Sequence, residues 1–134
     1  MNKEQVDLLG EYIKAGKSAV LIEEIPASVI KKGAVVINSD CSISELMGYF
    51  DNLEYVAPEW YDKLMDSAKN HTPVLIIKDI NKIPEEEQRK FIEFLKYKKV
   101  YVHKIPENCK IFVTYSDLKE NPIEEEVYSF MAHI

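Results

Sequence analysis

An α/β fold with a mainly parallel sheet is what this sequence predicts, and three observations carry the prediction. Ala19–Ile22, Ala34–Ile37, Val74–Ile77 and the stretch from Lys110 to Tyr115 are short, largely apolar runs. Strands apolar on both faces belong to parallel sheets covered on both sides. Between them lie segments whose apolar residues recur at helical spacing, and alternation of the two patterns is the mark of a layered α/β domain. Glycine or proline punctuates most of the joins, at Gly16, Pro26, Gly33, Pro58, Pro84 and Pro122.

Taken in order, Lys3 to Lys14 carries Val6, Leu8, Leu9, Tyr12 and Ile13 on one helical face, and Gly16 suits the left-handed residue that ends such a helix. Ala19–Ile22 follows as a buried strand. Pro26 opens a short helix to about Lys32, broken by Gly33, and Ala34–Ile37 forms the second strand. Ser42 or Ser44 caps a helix that carries Leu46, Met47, Tyr49 and Phe50. A further helix begins at Pro58 and carries Trp60, Tyr61, Leu64, Met65 and Ala68 at helical spacing. After Val74–Ile77 come a turn at Asn81 and a helix from Pro84 to about Tyr97. Its leading Glu85-Glu86-Glu87 favours the positive end of the helix dipole. Val100–Val102 reads as a strand or hairpin arm, the stretch from Lys110 as a strand, and Pro122 as the opening of a last helix toward Phe130.

With 134 residues, 46% of them hydrophobic and 30% charged, the chain is sized for a single domain, residues 1–134, with its own core. No apolar run reaches membrane-spanning length and no signal-peptide pattern opens the chain, so the expectation is a cytoplasmic protein without a membrane partner. The net charge of −6 disfavours broad nucleic-acid binding, which depends on displacing counterions with basic surface. Cys41 and Cys109 have no metal-ligand spacing and read as packed free thiols; His71, His103 and His133 are scattered. No metal or cofactor is expected.

Gly16-Lys17-Ser18 invites a phosphate-loop reading and fails it. Such a loop follows a strand and opens a helix, with a glycine five residues earlier, so that backbone N–H groups surround the phosphates. Here the tripeptide precedes the strand and the earlier glycine is missing. After the strand, Glu23 to Lys32 has no glycine, and two glutamates occupy the place where phosphate charge would gather.

The ordered set of segments nonetheless resembles the AAA+ ATPase core, most closely its MoxR-like branch. "LLGEYIKAGKSAVLIEE" is similar to the helix, turn and first strand, and "INSDCSISELMGYFD" to the second strand and following helix. "HTPVLIIKDINKIPEEEQRKFIEFLKYKKVYV" resembles the Walker B strand, turn, long helix and start of a hairpin. "IPENCKIFVTYSD" resembles the sensor-1 strand, and "NPIEEEVYSFMAHI" the arginine-finger helix and start of the last strand. The resemblance implies a three-layer sandwich of P-loop NTPase/AAA+ type, in truncated form without P-loop or C-terminal lid.

Carried across residue by residue, the family's chemistry is lost. The phosphate-loop lysine and hydroxyl have no counterpart. The magnesium-binding aspartate falls on Lys78, the catalytic glutamate on Asp79, the sensor-1 asparagine on Ser116 or Asp117, and the arginine finger on Ser129; Asn81 of the turn is retained. Phosphoryl transfer needs phosphate positioning, metal and charge neutralisation together. Lys78, Asp79, Asn81 and Ser116 are therefore expected to be vestigial, with Lys78 pairing with Asp79, Asp40 or Glu23, and Asp79 accepting from Asn81 or capping the turn.

A second group of residues stands apart. Lys96, Lys98, Lys99, Tyr101, His103 and Lys104 interleave cations with aromatics, a pattern that tracks phosphates and stacks on bases or presents a partner surface. The resemblance implies a hairpin of the kind that engages substrates or partners. The expected function is a catalytically inactive domain acting as a protein-interaction or regulatory module, its partner an AAA+ protein or another copy of itself. The alternatives are a divergent ATPase that uses Asp79 and a nucleic-acid-binding accessory factor that uses the 96–104 segment.

Overall fold

The computed structural model describes residues 19–25 and 33–134. The helices expected over 3–14 and 26–32, and the Gly16-Lys17-Ser18 turn, lie outside the described residues.

Five parallel strands form the central sheet: β1 (Ala19–Ile22), β2 (Val35–Asn38), β5 (Val74–Lys78), β8 (Lys110–Thr114) and β9 (Met131–His133). Their order is β2-β5-β8-β1-β9, so β1 is interior, flanked by later strands, while β2 and β9 are the edges. β1 is buried at all four residues, and β5 and β8 at four of five, as expected for parallel strands. Successive side chains alternate between faces. Leu21, Ile37, Leu75, Ile77, Ile111 and Val113 pack on one face, and Val20, Ile22, Val74, Ile76 and Phe112 on the other. The arrangement is compatible with a three-layer sandwich.

Helices α1 (Ile43–Met47), α2 (Glu59–Ala68), α4 (Ile92–Tyr97) and α5 (Glu125–Ser129) contribute Leu46, Trp60, Leu64, Phe94, Leu95 and Val127 to the first of these clusters. Ser42 caps α1 in a capping box: its hydroxyl accepts from the Glu45 N–H and the Glu45 carboxylate accepts from the Ser42 N–H, both at 3.1 Å. Trp60 ties α2 to α1 by donating from Nε1 to the Leu46 carbonyl at 2.9 Å. Its ring also meets Phe94 edge-on at 5.5 Å.

Three elements differ from the sequence reading. The helix at residues 43–47 stops at Met47, and Tyr49 and Phe50 belong to an antiparallel hairpin of β3 (Tyr49–Asp51) and β4 (Glu54–Val56). Gly48 makes the break: it sits at φ +83°, and a Cβ there would lie 2.5 Å from both the Tyr55 hydroxyl and the Val56 carbonyl oxygen. The long helix after Pro84 is three pieces: α3 (Glu85–Gln88), a 3₁₀ turn (Arg89–Phe91) and α4. The tighter turn begins where Gln88, fully buried, directs its side-chain amide inward. The segment from Pro122 becomes helical only at Glu125, because the Glu124 carboxylate takes the N-cap role and accepts from the Val127 N–H at 2.9 Å.

Candidate functional site

Two regions hold the residues singled out from sequence: the carboxyl end of the sheet and a face made by two hairpins.

At the sheet end, Lys78 closes β5, and Asp79 follows at φ +55°, ψ +58°. Aspartate tolerates this left-handed conformation better than most residues. The neighbouring strands hold it there. The Ser39 hydroxyl donates to the Asp79 carbonyl at 2.6 Å, the Ser39 N–H donates to the Lys78 carbonyl at 3.1 Å, and the Asp79 N–H donates to Thr114 Oγ1 at 2.8 Å. Ser39 and Thr114 are buried. Hydroxyls from the two outer strand ends thus close over the backbone of the middle one.

The expected pairing of Lys78 is not what forms. Among the described residues Lys78 makes no ion pair; Lys82, one turn on, reaches Asp40 with Nζ–Oδ2 at 3.2 Å. The left-handed kink at Asp79 starts a 3₁₀ turn (Ile80–Lys82) that brings Lys82 rather than Lys78 toward the Asp40 loop. Asn81 does not bond the Asp79 carboxylate either. Its amide is buried and spans to the segment after β8: Nδ2 donates to the carbonyls of Ser116 and, at 2.8 Å, of Asn121, while Oδ1 accepts from the Ser116 N–H at 3.1 Å. Ser116 therefore meets the β5 turn through its backbone, and its side chain is exposed. Ser129 donates from Oγ to the Glu126 carbonyl within its own helix.

Gln88, which the sequence reading passed over, repeats the device one helix further. Its Nε2 donates to the carbonyls of Ile83 at 3.0 Å and Pro122 at 3.2 Å, and its Oε1 accepts from the Glu124 N–H at 2.8 Å. Arg89 adds an ion pair to Glu124 at 3.1 Å. Hydrogen bonds from the Val127 and Glu126 N–H groups, with Arg89 beside it, hold the Glu124 carboxyl below its usual range. The Asn-x-x-Pro turn was legible; a buried glutamine is not, because a Gln after three glutamates reads as solvated surface.

The second region is built on α2. Trp60 and Tyr61 are both buried, as their helical spacing predicts. Tyr61 donates from its hydroxyl to the Lys104 carbonyl at 3.0 Å, and so anchors the hairpin of β6 (Lys99–Val100) and β7 (His103–Lys104). The β3–β4 hairpin is anchored by Tyr55, whose hydroxyl donates to the Met47 carbonyl; burial pushes that hydroxyl's pKa up, helped by Tyr101 and Tyr61. The two hairpins meet ring to ring. Tyr55 lies 4.8 Å from Tyr101 and 5.5 Å from both Phe50 and His103, Phe50 meets Tyr101 edge-on at 5.5 Å, and Tyr61 lies 5.4 Å from His103.

What this face leaves in water is unusual. Leu53 is 96% exposed, Val102 69%, Phe50 59%, Tyr97 55% and Tyr101 51%. Phe50 and Tyr101 touch and share a hollow with Tyr97, and exposed apolar side chains gathered in this way mark interaction surfaces. The tips are also strained: Asn52 and Leu53 form the β3–β4 turn at φ +48° and +70°, and Tyr101 begins the β6–β7 turn at φ +55°. Outside glycine, asparagine and aspartate, such a φ costs roughly 1–2 kcal/mol per residue. Tyr49–Val56 carried a hairpin signal, aromatic residues on either side of Asp51-Asn52, that the helical spacing of Leu46 to Phe50 masked.

The lysines sit around this face unequally. Lys96 and Lys99 stand over the Tyr97 ring at 5.3 and 5.6 Å. Lys98 adopts φ +50° as the helix C-cap and Lys104 pairs with Lys99 across the hairpin. A hollow of about 460 Å³ opens between the hairpins, lined by Phe50, Tyr55, Tyr97, Lys99, Tyr101 and Glu93 among others. Among the described residues no three His, Cys, Asp or Glu side chains converge as a metal site would require, and no helix is long and apolar enough to cross a membrane. Cys109 is buried, and burial pushes its thiol up to about 12; Cys41 is half-buried and its thiol is raised for the same reason.

The chain matches no protein-family model and no curated protein sequence.

Proposed function

We propose that this chain is a catalytically inactive AAA+-like domain that works as a protein-interaction module, with the two-hairpin aromatic face as its contact surface. One observation carries the proposal: apolar side chains are held in water at hairpin tips whose backbone is strained to hold them. Neither solvation nor local conformational preference favours Leu53 or Tyr101 where they stand, so the benefit lies in what the tips touch. Aromatic residues supply much of the binding energy at protein interfaces, and a face with Phe50, Tyr97 and Tyr101 around a hollow fits that use.

The inactive-frame part of the proposal rests on the sheet end. A phosphate site needs its loop, its metal carboxylate and its polar sensor at one end of the sheet, beside an interior first strand. On this reading Lys78 stands in place of the magnesium ligand, and support comes from the hydroxyls of Ser39 and Thr114, which bond the Asp79 backbone on the β2 and β8 sides. Isothermal titration with ATP and magnesium tests this part: micromolar binding sinks it and favours a divergent ATPase acting through Asp79.

The contact surface is tested by placing a photo-crosslinking residue at Tyr97, on the rim of the hollow, in the source cell. A defined protein adduct that disappears in the Phe50→Ser, Tyr101→Ser double variant supports the proposal; adducts unchanged by that variant defeat it. The flanking cations over Tyr97 favour single-stranded nucleic acid as the second reading. Salt-dependent binding of an oligonucleotide that is lost in Lys98→Glu with Lys99→Glu decides for that reading over the first.

A further inference from the structure

The edge strand β2 carries a second surface, independent of the hairpin face. Among the described residues β2 pairs with β5 alone. The Ser39 N–H bonds to β5 through the Lys78 carbonyl, so by alternation the main-chain groups of Val35 and Ile37 face β5 and those of Val36 and Asn38 face outward. The Asn38 carbonyl is closed by the Cys41 N–H at 3.1 Å. That leaves the Val36 N–H, the Val36 carbonyl and the Asn38 N–H presented to the open side.

Edge strands are ordinarily protected by proline, lysine, a bulge or a covering segment. Val35-Val36-Ile37-Asn38 has no such residue, is regular, and leaves Val36 47% exposed. The open side is also a groove. It has a volume of about 1140 Å³ and runs along β2, walled by Ser44 and Glu45 of α1, by Val56 of β4, and by Glu59, Asp62 and Lys63 of α2. Among the described residues the charged side chains lining it are Asp40, Glu45, Glu59 and Asp62 against one cation, Lys63, which is itself tied to Glu59 at 3.1 Å. From outside the lining, Lys82 pairs with Asp40 at 3.2 Å and Lys90 donates from Nζ to the Cys41 carbonyl at 2.5 Å.

We propose that this groove takes an extended basic segment of a protein partner as an added sixth strand. Main-chain hydrogen bonds to Val36 and Asn38 give the register. Side chains of the incoming strand alternate in direction, so one set covers exposed Val36 and the other points toward the carboxylates of α1 and α2. The chemistry specified is a segment that alternates lysine or arginine with β-branched residues. A second copy of β2 does not fit, because its own surroundings carry the same acidic charge.

The test uses the full chain and a short fluorescent peptide of alternating lysine and valine, with an aspartate–valine peptide as control, read by anisotropy and by amide exchange. Val36→Pro removes one outward N–H and leaves the β5 ladder intact, a position where edge strands tolerate proline. Glu59→Lys with Asp62→Lys reverses the wall while keeping the backbone. Expected are binding of the basic peptide only, slowed exchange of the Val36 and Asn38 amides on binding, and affinity lowered about tenfold or more by each variant. No binding of the basic peptide, equal binding of the acidic one, or binding unchanged in a natively folded Val36→Pro protein overturns the proposal. So does a dimer of the free protein that Val36→Pro dissociates, since the groove is then filled by a second copy. None of these readouts depends on the hairpin face, so either proposal fails alone.

Discussion

The carboxyl end of β5 and the face of the two hairpins are opposites in how they treat their polar and apolar groups. At the strand end and the helix after it, every buried polar side chain among the described residues has a partner: Ser39, Thr114, Asn81 and Gln88 all bond backbone groups. The hairpin face instead leaves Leu53, Phe50, Tyr101 and Val102 in water on a backbone with three positive φ angles at its tips. A region whose polar groups are satisfied suits a structural role, and one that holds apolar side chains in water on left-handed tips suits a contact role. The contact role thus falls on Phe50 and Leu53 of the first hairpin together with Tyr101 of the second, and away from Lys78 and Asp79.

The largest effect expected is at the strand end. Asn81→Ala deletes three hydrogen bonds and leaves the Ser116 N–H without its acceptor, which costs about 3 kcal/mol in urea unfolding with an unchanged denaturant slope. A loss below about 1 kcal/mol would mean the clamp is replaced by water and the contrast between regions is weaker than stated. Next is the hairpin face. Phe50→Ala with Tyr101→Ala is expected to weaken partner binding by about 2 kcal/mol or more, while thermal unfolding changes little, because both rings are half in solvent already.

The sharpest separation of the two regions comes from Leu53→Gly. Glycine relieves the φ of +70° and removes an exposed apolar side chain, so stability rises by about 1 kcal/mol while partner binding falls. Stability and binding moving together would contradict the assignment of the tip to contact. Lys78→Ala is expected to lie within about 0.5 kcal/mol of the parent in stability, since Lys78 is exposed and has no ion pair among the described residues.

The smallest effect is with pH. Folding raises the Cys109 thiol to about 12 by burial, above the unfolded value of about 8.5, so its contribution is fully present below the unfolded value and is lost as pH rises toward 12. Burial shifts Tyr55, Tyr61 and Tyr115 in the same direction. A Cys109→Ala variant, less stable overall, should show a shallower alkaline decline of its urea midpoint. At about pH 8, Cys109 should stay unlabelled by a thiolate-directed reagent until the protein is unfolded.

Periodicity and punctuation determined much of this protein from sequence alone. The runs from Ala19, Val74 and Lys110 specify buried parallel strands because residues apolar on both faces have no other stable home in a soluble chain. Ser42, Pro58 and Pro84 mark helix starts because capping and fixed φ act within a few residues. Tertiary structure decided the rest. Strand order put β1 in the interior and β2 at the edge, and no local signal encodes which strands become neighbours. Gly48 ended a helix whose apolar spacing continues through Phe50, because the Tyr55 hydroxyl and the Val56 carbonyl crowd that position. Gln88 became core and Tyr101 surface for one reason: burial of a polar group depends on partners more than thirty residues away, and exposure of an aromatic depends on which neighbours the fold leaves uncovered.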